Sequence, residues 1–151
     1  MISITKQYID FPFAHRQPKH RGHCALIHGH NWSFSFVFSA KKLDMNGFVL
    51  DFGDLAWLRD MLHALFDHTL VLNEDDPWLA YLRESLLLQP AASADTMLAN
   101  IVTVPNCGAE GLATYLLKQV GMEISDRYVG RVTLTSVTVH EDSKNTATVS
   151  L

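Results

Sequence analysis

Residues 31–40 read NWSFSFVFSA, so that Trp32, Phe34, Phe36 and Phe38 alternate with Ser33, Ser35, Val37 and Ser39. Period-two alternation marks a half-buried β-strand. Four aromatic side chains on one face require a covering layer, and this requirement limits the architectures open to the chain. With 151 residues the chain can bury one well-packed core but not two ordinary ones. Its 48% apolar and 19% charged residues exclude a disordered or fibrous polymer.

A second strand is expected over Ser3 to Phe13, where Ser3, Thr5, Gln7, Ile9, Phe11, Phe13 and His15 share one parity. Arg16 to Cys24 carries Pro18 and Gly22 and reads as a wide turn, which makes the two strands an antiparallel pair. A short apolar run, Gly47 to Asp51, precedes a helical pattern at Leu55, Leu58, Leu62, Leu65 and Phe66, with Asp51 and Asp54 placed to cap it. A second helix is marked by Ala109, Leu112, Ala113, Leu116, Leu117 and Val120, with Asn106 as its cap and Gly121 near its end. Two further strands close the chain, Arg131 to His140 and Asn145 to Leu151. In the first of them the apolar phase shifts between Val132 and Leu134 and Val137 and Val139, predicting a β-bulge near Thr135 and Ser136. The order ββααββ indicates an α+β domain with helices on one sheet face. Residues 74–105 fit least well and read as an insertion in a single domain spanning 1–151. In that insertion Trp78, Leu79, Leu82, Leu86 and Leu87 suggest a short helix, followed by an extended loop after Pro90.

A net charge of −4 argues against a general nucleic-acid binder. No apolar run is long enough to cross a bilayer, and Met1 to Asp10 lacks a basic-then-apolar signal pattern. Two cysteines, Cys24 and Cys107, are too few for a disulfide framework, so a reducing, cytoplasmic setting is expected. Histidine is the unusual component: five of the eight, His15, His20, His23, His28 and His30, lie between positions 15 and 30.

In a strand His28 and His30 project to one side, where both imidazoles can reach one metal ion; the alternative is a pair of polar strand-edge residues. His15 on the partner strand would add a third nitrogen, and three protein ligands leave the open position of a catalytic zinc. Cys24 is either a small buried residue or a thiol activated by Lys19, His20, Arg21 and His23. The same cations, with Arg16, form a positive strip suited to phosphate oxygens. Asp67 and His68 are either a polar helix end or a carboxylate-oriented acid/base. Glu141, at a strand end, is either solvated or the acceptor for an amidine-like group of a heterocycle. His20, His63 and His140 belong to no motif.

Together these segments resemble the 6-pyruvoyltetrahydropterin synthase/6-carboxytetrahydropterin synthase family. The resemblance rests on Phe11-Pro12-Phe13-Ala14-His15, on Cys24 to Trp32 (CALIHGHNW), on Gly47 to Phe52 (GFVLDF), and on Leu65-Phe66-Asp67-His68 with Leu70 and Asn73. It continues in Glu110 with Leu112 and Ala113, and in Val137 to Glu141 with Ala147. It implies a tunnelling-fold (T-fold) subunit, a four-stranded antiparallel sheet with two helices packed on one face, assembling as trimers or hexamers with active sites between subunits. It also implies Zn2+ held by His15, His28 and His30, Cys24 as catalytic thiol, Asp67 and His68 as the acid/base pair, and Glu141 as the pterin anchor. The three-residue gap between Cys24 and His28 resembles the bacterial 6-carboxytetrahydropterin synthases of queuosine and related deazapurine synthesis. For that branch the expected reaction is a carbon–carbon lyase reaction that turns 7,8-dihydroneopterin triphosphate into 6-carboxy-5,6,7,8-tetrahydropterin, acetaldehyde and triphosphate. A pyruvoyl synthase that eliminates triphosphate and a zinc-binding T-fold protein without turnover are the alternatives. A cupin-type oxygenase would need a glutamate after His-x-His, and residues 31–40 contain none. The chain departs from the family where Gly108 replaces a usual threonine and Trp32 a common tyrosine.

Overall fold

The aromatic row does become the floor of the core. Trp32, Phe34, Phe36 and Phe38 are all fully buried in strand β2, His28–Ala40. The computed structural model describes residues 1–87 and 98–151. The loop expected after Pro90 lies outside these residues over 91–97. In chain order the elements are β1 Ile2–His15, β2, α1 Ala56–Phe66, β3 Leu70–Asn73, α2 Leu79–Leu87, β4 Ile101–Val104, α3 Ala109–Arg127, β5 Val132–His140 and β6 Thr146–Ser150. No helix among the described residues is long and apolar enough to cross a membrane.

The sheet has six strands in the order β4-β3-β1-β2-β5-β6, which corrects the expectation of four. β1, β2, β5 and β6 pair antiparallel, whereas β3 and β4 add two short parallel strands beside β1. Neither alternates: the edge strand β4 is half-buried at Ile101, Val102 and Thr103, while β3, Leu70–Asn73, is buried at every position. A parallel strand covered on both faces has the character of β3, and the length of four residues leaves no period to detect.

The inward rows of the strands, the α1 residues Leu58, Leu62 and Phe66, and the α3 residues Leu112, Leu116, Val120 and Ile124 form one apolar cluster. Phe66 stacks on Phe13 and Phe34 with ring centroids 5.2 and 4.9 Å away, which fixes the end of α1 over the β1–β2 pair. α3 continues six residues past Gly121 because the buried four-residue repeat runs on to Ile124. That burial outweighs the ~1 kcal/mol that a helical glycine costs. Asn106 is not the cap of α3; Gly108 holds that position, and the Asn106 side chain accepts the Gly108 N–H at 2.9 Å. Gly111 is required one turn further on, since a Cβ there would overlap the Asn106 carbonyl.

Two bulges set the phase of the central strands. Val37 pairs with Ser136 and Phe38 with Leu134, leaving Thr135 as the extra residue at the predicted place. A second lies in β1, where Tyr8 pairs with Phe34 and Phe11 with Trp32, so Ile9 and Asp10 together oppose Ser33. Asp10 takes a positive φ of 66° there. The bulge switches the buried parity from Tyr8 to Phe11, Phe13 and His15. The odd-numbered set of β1 therefore does not share one face along its whole length.

Candidate metal centre

The inward rows do not stop at the last apolar residue. On β1 the row Phe11, Phe13 continues to His15, and on β2 the row of aromatics continues back through His30 to His28. On β5 Val137 and Val139 lead to Glu141, immediately after the last paired residue, His140. His15 lies directly opposite His28 in the ladder and diagonal to His30, whose partner is Phe13. Directly opposite and diagonal neighbours are the side chains that meet on a sheet face. Accordingly the three imidazole centroids lie 4.6, 5.0 and 5.5 Å apart. One donor atom from each histidine and one Glu141 carboxylate oxygen all fall within 4.8 Å of one another. Trp32 closes the apolar side, its ring edge-on to His15 and His30 and stacked on Phe13 at 4.5 Å.

Two of the rings are held by backbone carbonyls. His15 Nδ1 faces the Cys107 oxygen at 2.9 Å, and His28 Nδ1 faces the Leu26 oxygen at 2.7 Å. A carbonyl can only accept, so each Nδ1 carries the hydrogen and each Nε2 presents a lone pair. Burial lowers the His15 pKa to about 4, against a smaller opposing effect of the Cys107 carbonyl, which keeps this imidazole neutral and able to ligate. Cys107 is itself fixed: its N–H donates to Asn73 Oδ1 at 2.8 Å and its thiol to the Arg16 carbonyl at 3.1 Å. Asn73, buried at the end of β3, thus orients a histidine on β1 through the backbone of residue 107. Gly29 plays a smaller part than its place between two histidines suggests, since a Cβ there would make only ordinary contact with the Phe13 carbonyl.

The donor set fits a zinc ion. Neutral imidazoles and a carboxylate are its usual nitrogen and oxygen ligands. The His15 and His30 Nε2 atoms are buried with no hydrogen-bond partner in the protein.

The other expected residues lie around this centre. Asp67 ends α1, where His68 Nδ1 meets its carboxylate at 2.6 Å and His63 Nδ1 at 3.2 Å. These contacts, the His68 bond foremost, hold the Asp67 pKa below the usual carboxylate range. His63 escaped sequence reasoning, although its spacing of four before Asp67 was the available signal. The His68 backbone has a φ of 54°, and its side chain is 82% exposed. Cys24 occupies a short turn at His23–Ala25, partly exposed, and is outside the converging group. Arg16 turns its Nε toward the buried Asp76 carboxylate at 3.4 Å, and Lys19 bonds Asp75 at 2.6 Å. The expected positive strip is therefore partly neutralised by two carboxylates following β3.

A family model described as 6-pyruvoyl tetrahydropterin synthase matches residues 3–151. The chain belongs to this family. A 6-carboxy-5,6,7,8-tetrahydropterin synthase of Rickettsia typhi is 39% identical over 77 residues, 50% of this chain and 55% of that one. The chain spans about half the length of the curated relatives it matches. Among solved structures, an uncharacterized protein from Wolinella succinogenes aligns over 99% of this chain and 97% of its own, with TM-score 0.83 and 22% identity. A 6-pyruvoyl tetrahydropterin synthase from Plasmodium vivax covers 99% and 98%, with TM-score 0.64 and 19% identity. At such identities these structures speak for the fold alone.

Proposed function

We propose that this chain is a zinc-dependent carbon–carbon lyase converting 7,8-dihydroneopterin triphosphate to 6-carboxy-5,6,7,8-tetrahydropterin, with release of acetaldehyde and triphosphate. The observation that carries this reading is the convergence of the His15, His28 and His30 side chains, two of them with their lone pairs fixed toward a common centre, in a member of the pterin synthase family. Bound zinc would supply Lewis-acid polarisation of the substrate's side-chain hydroxyls. Cys24 removes or relays a proton at the substrate side chain. His68, oriented through Nδ1 by Asp67, is the second acid/base. Glu141 accepts paired hydrogen bonds from the amidine edge of the pterin ring. Arg16, with Nε turned to Asp76, has its terminal nitrogens left as donors for triphosphate.

An exposed His68 is a poor place for proton transfer in water, and a covering surface would remedy this. Following the family resemblance, the reading includes a homotrimer or homohexamer whose active sites lie between subunits, an assembly that would cover His68, in a cytoplasmic protein of queuosine or deazapurine synthesis. Residues 74–105 are read as an insertion within a single domain spanning 1–151.

The test is incubation of zinc-loaded protein with dihydroneopterin triphosphate and mass spectrometry of the products. Acetaldehyde with carboxytetrahydropterin is expected; a pyruvoyl product would move the assignment to triphosphate elimination, and no product would sink both. Cys24→Ala is expected to lose turnover at least ~100-fold, the usual scale for a positioned acid/base, with zinc content unchanged.

A further inference from the structure

Building on the proposed zinc and pterin chemistry, we propose that Glu141 is a fourth metal ligand in the substrate-free protein and leaves the metal to bind the pterin ring. Metal and ring then compete for one carboxylate.

Glu141 Oε1 stands 3.4 Å from His15 Nε2 and 3.3 Å from His30 Nε2. Neither contact has the geometry of a hydrogen bond, and both nitrogens remain without a partner in the protein. A charge-assisted bond would draw the atoms to ~2.7–2.9 Å. Since His15 Nδ1 already donates to Cys107, its Nε2 turns a lone pair toward a carboxylate oxygen. Two acceptors face each other, an arrangement that a cation between them makes favourable. Ligand atoms at the corners of a tetrahedron with bonds of ~2.0–2.1 Å lie about 3.3–3.4 Å apart, matching both separations.

Three histidines and a carboxylate make a closed four-ligand set, whereas a catalytic zinc keeps a position open. If the metal stays four-coordinate, one ligand leaves when substrate arrives. His15 and His28 are pinned by carbonyls within paired strands. Glu141 instead sits just past the end of β5, on a hairpin turn closed by its own N–H to the Asn145 carbonyl at 3.0 Å. Its side chain is a quarter exposed, so it can swing outward. There it meets the amidine edge of a pterin.

This exchange also confers selectivity. A pterin with a hydroxylated side chain replaces the ligand it displaces, while a bare pterin ring takes Glu141 and gives the metal nothing in return. Linkage makes the penalty reciprocal: zinc weakens binding of the bare ring by the factor with which the ring weakens binding of zinc.

Zinc affinity of full-length wild-type protein and Glu141→Gln, measured by chelator competition, tests the first half. A loss of about 10-fold or more is expected on the scale of lost metal-site contacts, with the metal-free proteins melting alike. Equal zinc affinities would overturn the proposal. The second half is tested by titrating unsubstituted pterin into metal-free and zinc-loaded protein. Binding about 10-fold weaker with zinc present is expected in wild type, within the usual range of such couplings. Equal binding to both wild-type forms would overturn the exchange. Pterin binding to neither form would sink the pterin reading and the exchange with it, whereas the zinc measurement would still decide whether Glu141 is a ligand.

Discussion

At His68 the backbone takes a left-handed φ of 54° at the residue after the C-cap of α1, a place where helices favour glycine. A residue with a Cβ pays about 1 kcal/mol or more for this conformation, and such costs gather at functional positions. The bond to Asp67 returns little of it, because exposed ion pairs contribute at most about 1 kcal/mol. His68→Gly is therefore expected to melt at or slightly above the wild-type temperature while losing turnover. Scanning calorimetry beside a product assay checks this, and a clear fall in melting temperature would argue that His68 is structural. The meeting of three imidazoles was legible from spacing: His28 and His30 sit two apart in a strand, and His15 lies on its neighbour. His63 was not, since its tie to Asp67 depends on where α1 ends. Nor was the hold of Asn73 on Cys107, because no local pattern joins residues 34 positions apart.

Among the elements, β1 ties its alkaline behaviour to its packing. Tyr8 is buried, donates its hydroxyl to the Leu55 carbonyl at 3.2 Å, and has its pKa pushed up to about 12 by burial, with Arg59 opposing. A folded-state pKa above the ordinary value of about 10 means stability is intact below that pH and is lost as pH rises from there through the folded value. Urea unfolding at about pH 9 and 11.5 should show wild type losing about 2 kcal/mol more than Tyr8→Phe over this interval. Identical losses would show that the ring is more solvated than its burial indicates. β2 and the helices α1 and α3 were readable because each carries a long periodic row. β3 and β4 have four residues each and no period. The Thr135 bulge showed in the sequence as a phase shift between valines and leucine. The bulge at Ile9 and Asp10 was hidden because Ile9, an apolar residue on the exposed side, extends the false row.

For the molecule as a whole, the candidate metal centre joins β1, β2 and the β5–β6 turn, three neighbours at the middle of the sheet. Ion binding here should consequently stabilise global folding. Zinc at ~1,000 times its dissociation constant contributes about 4 kcal/mol, which for a domain of this size is roughly 10 °C in melting temperature. Melting with zinc and after chelation measures the difference, and no shift would place metal binding outside the folded core. Assembly into trimers or hexamers was suggested only by the family resemblance, since side-chain periodicity within one chain is silent about its neighbours.

The β1 bulge also bears on how the protein can change over time. From Asp10 to His15 the strand behaves like a reading frame: Phe11, Phe13 and His15 face in only because one additional residue precedes them. Side chains here can be exchanged singly, with graded cost. Inserting or deleting one residue would instead turn Pro12 and Ala14 inward and swing His15 out, removing core and candidate metal ligand in one step. Length variation between relatives should accordingly be barred from this stretch and collect in the turns on either side.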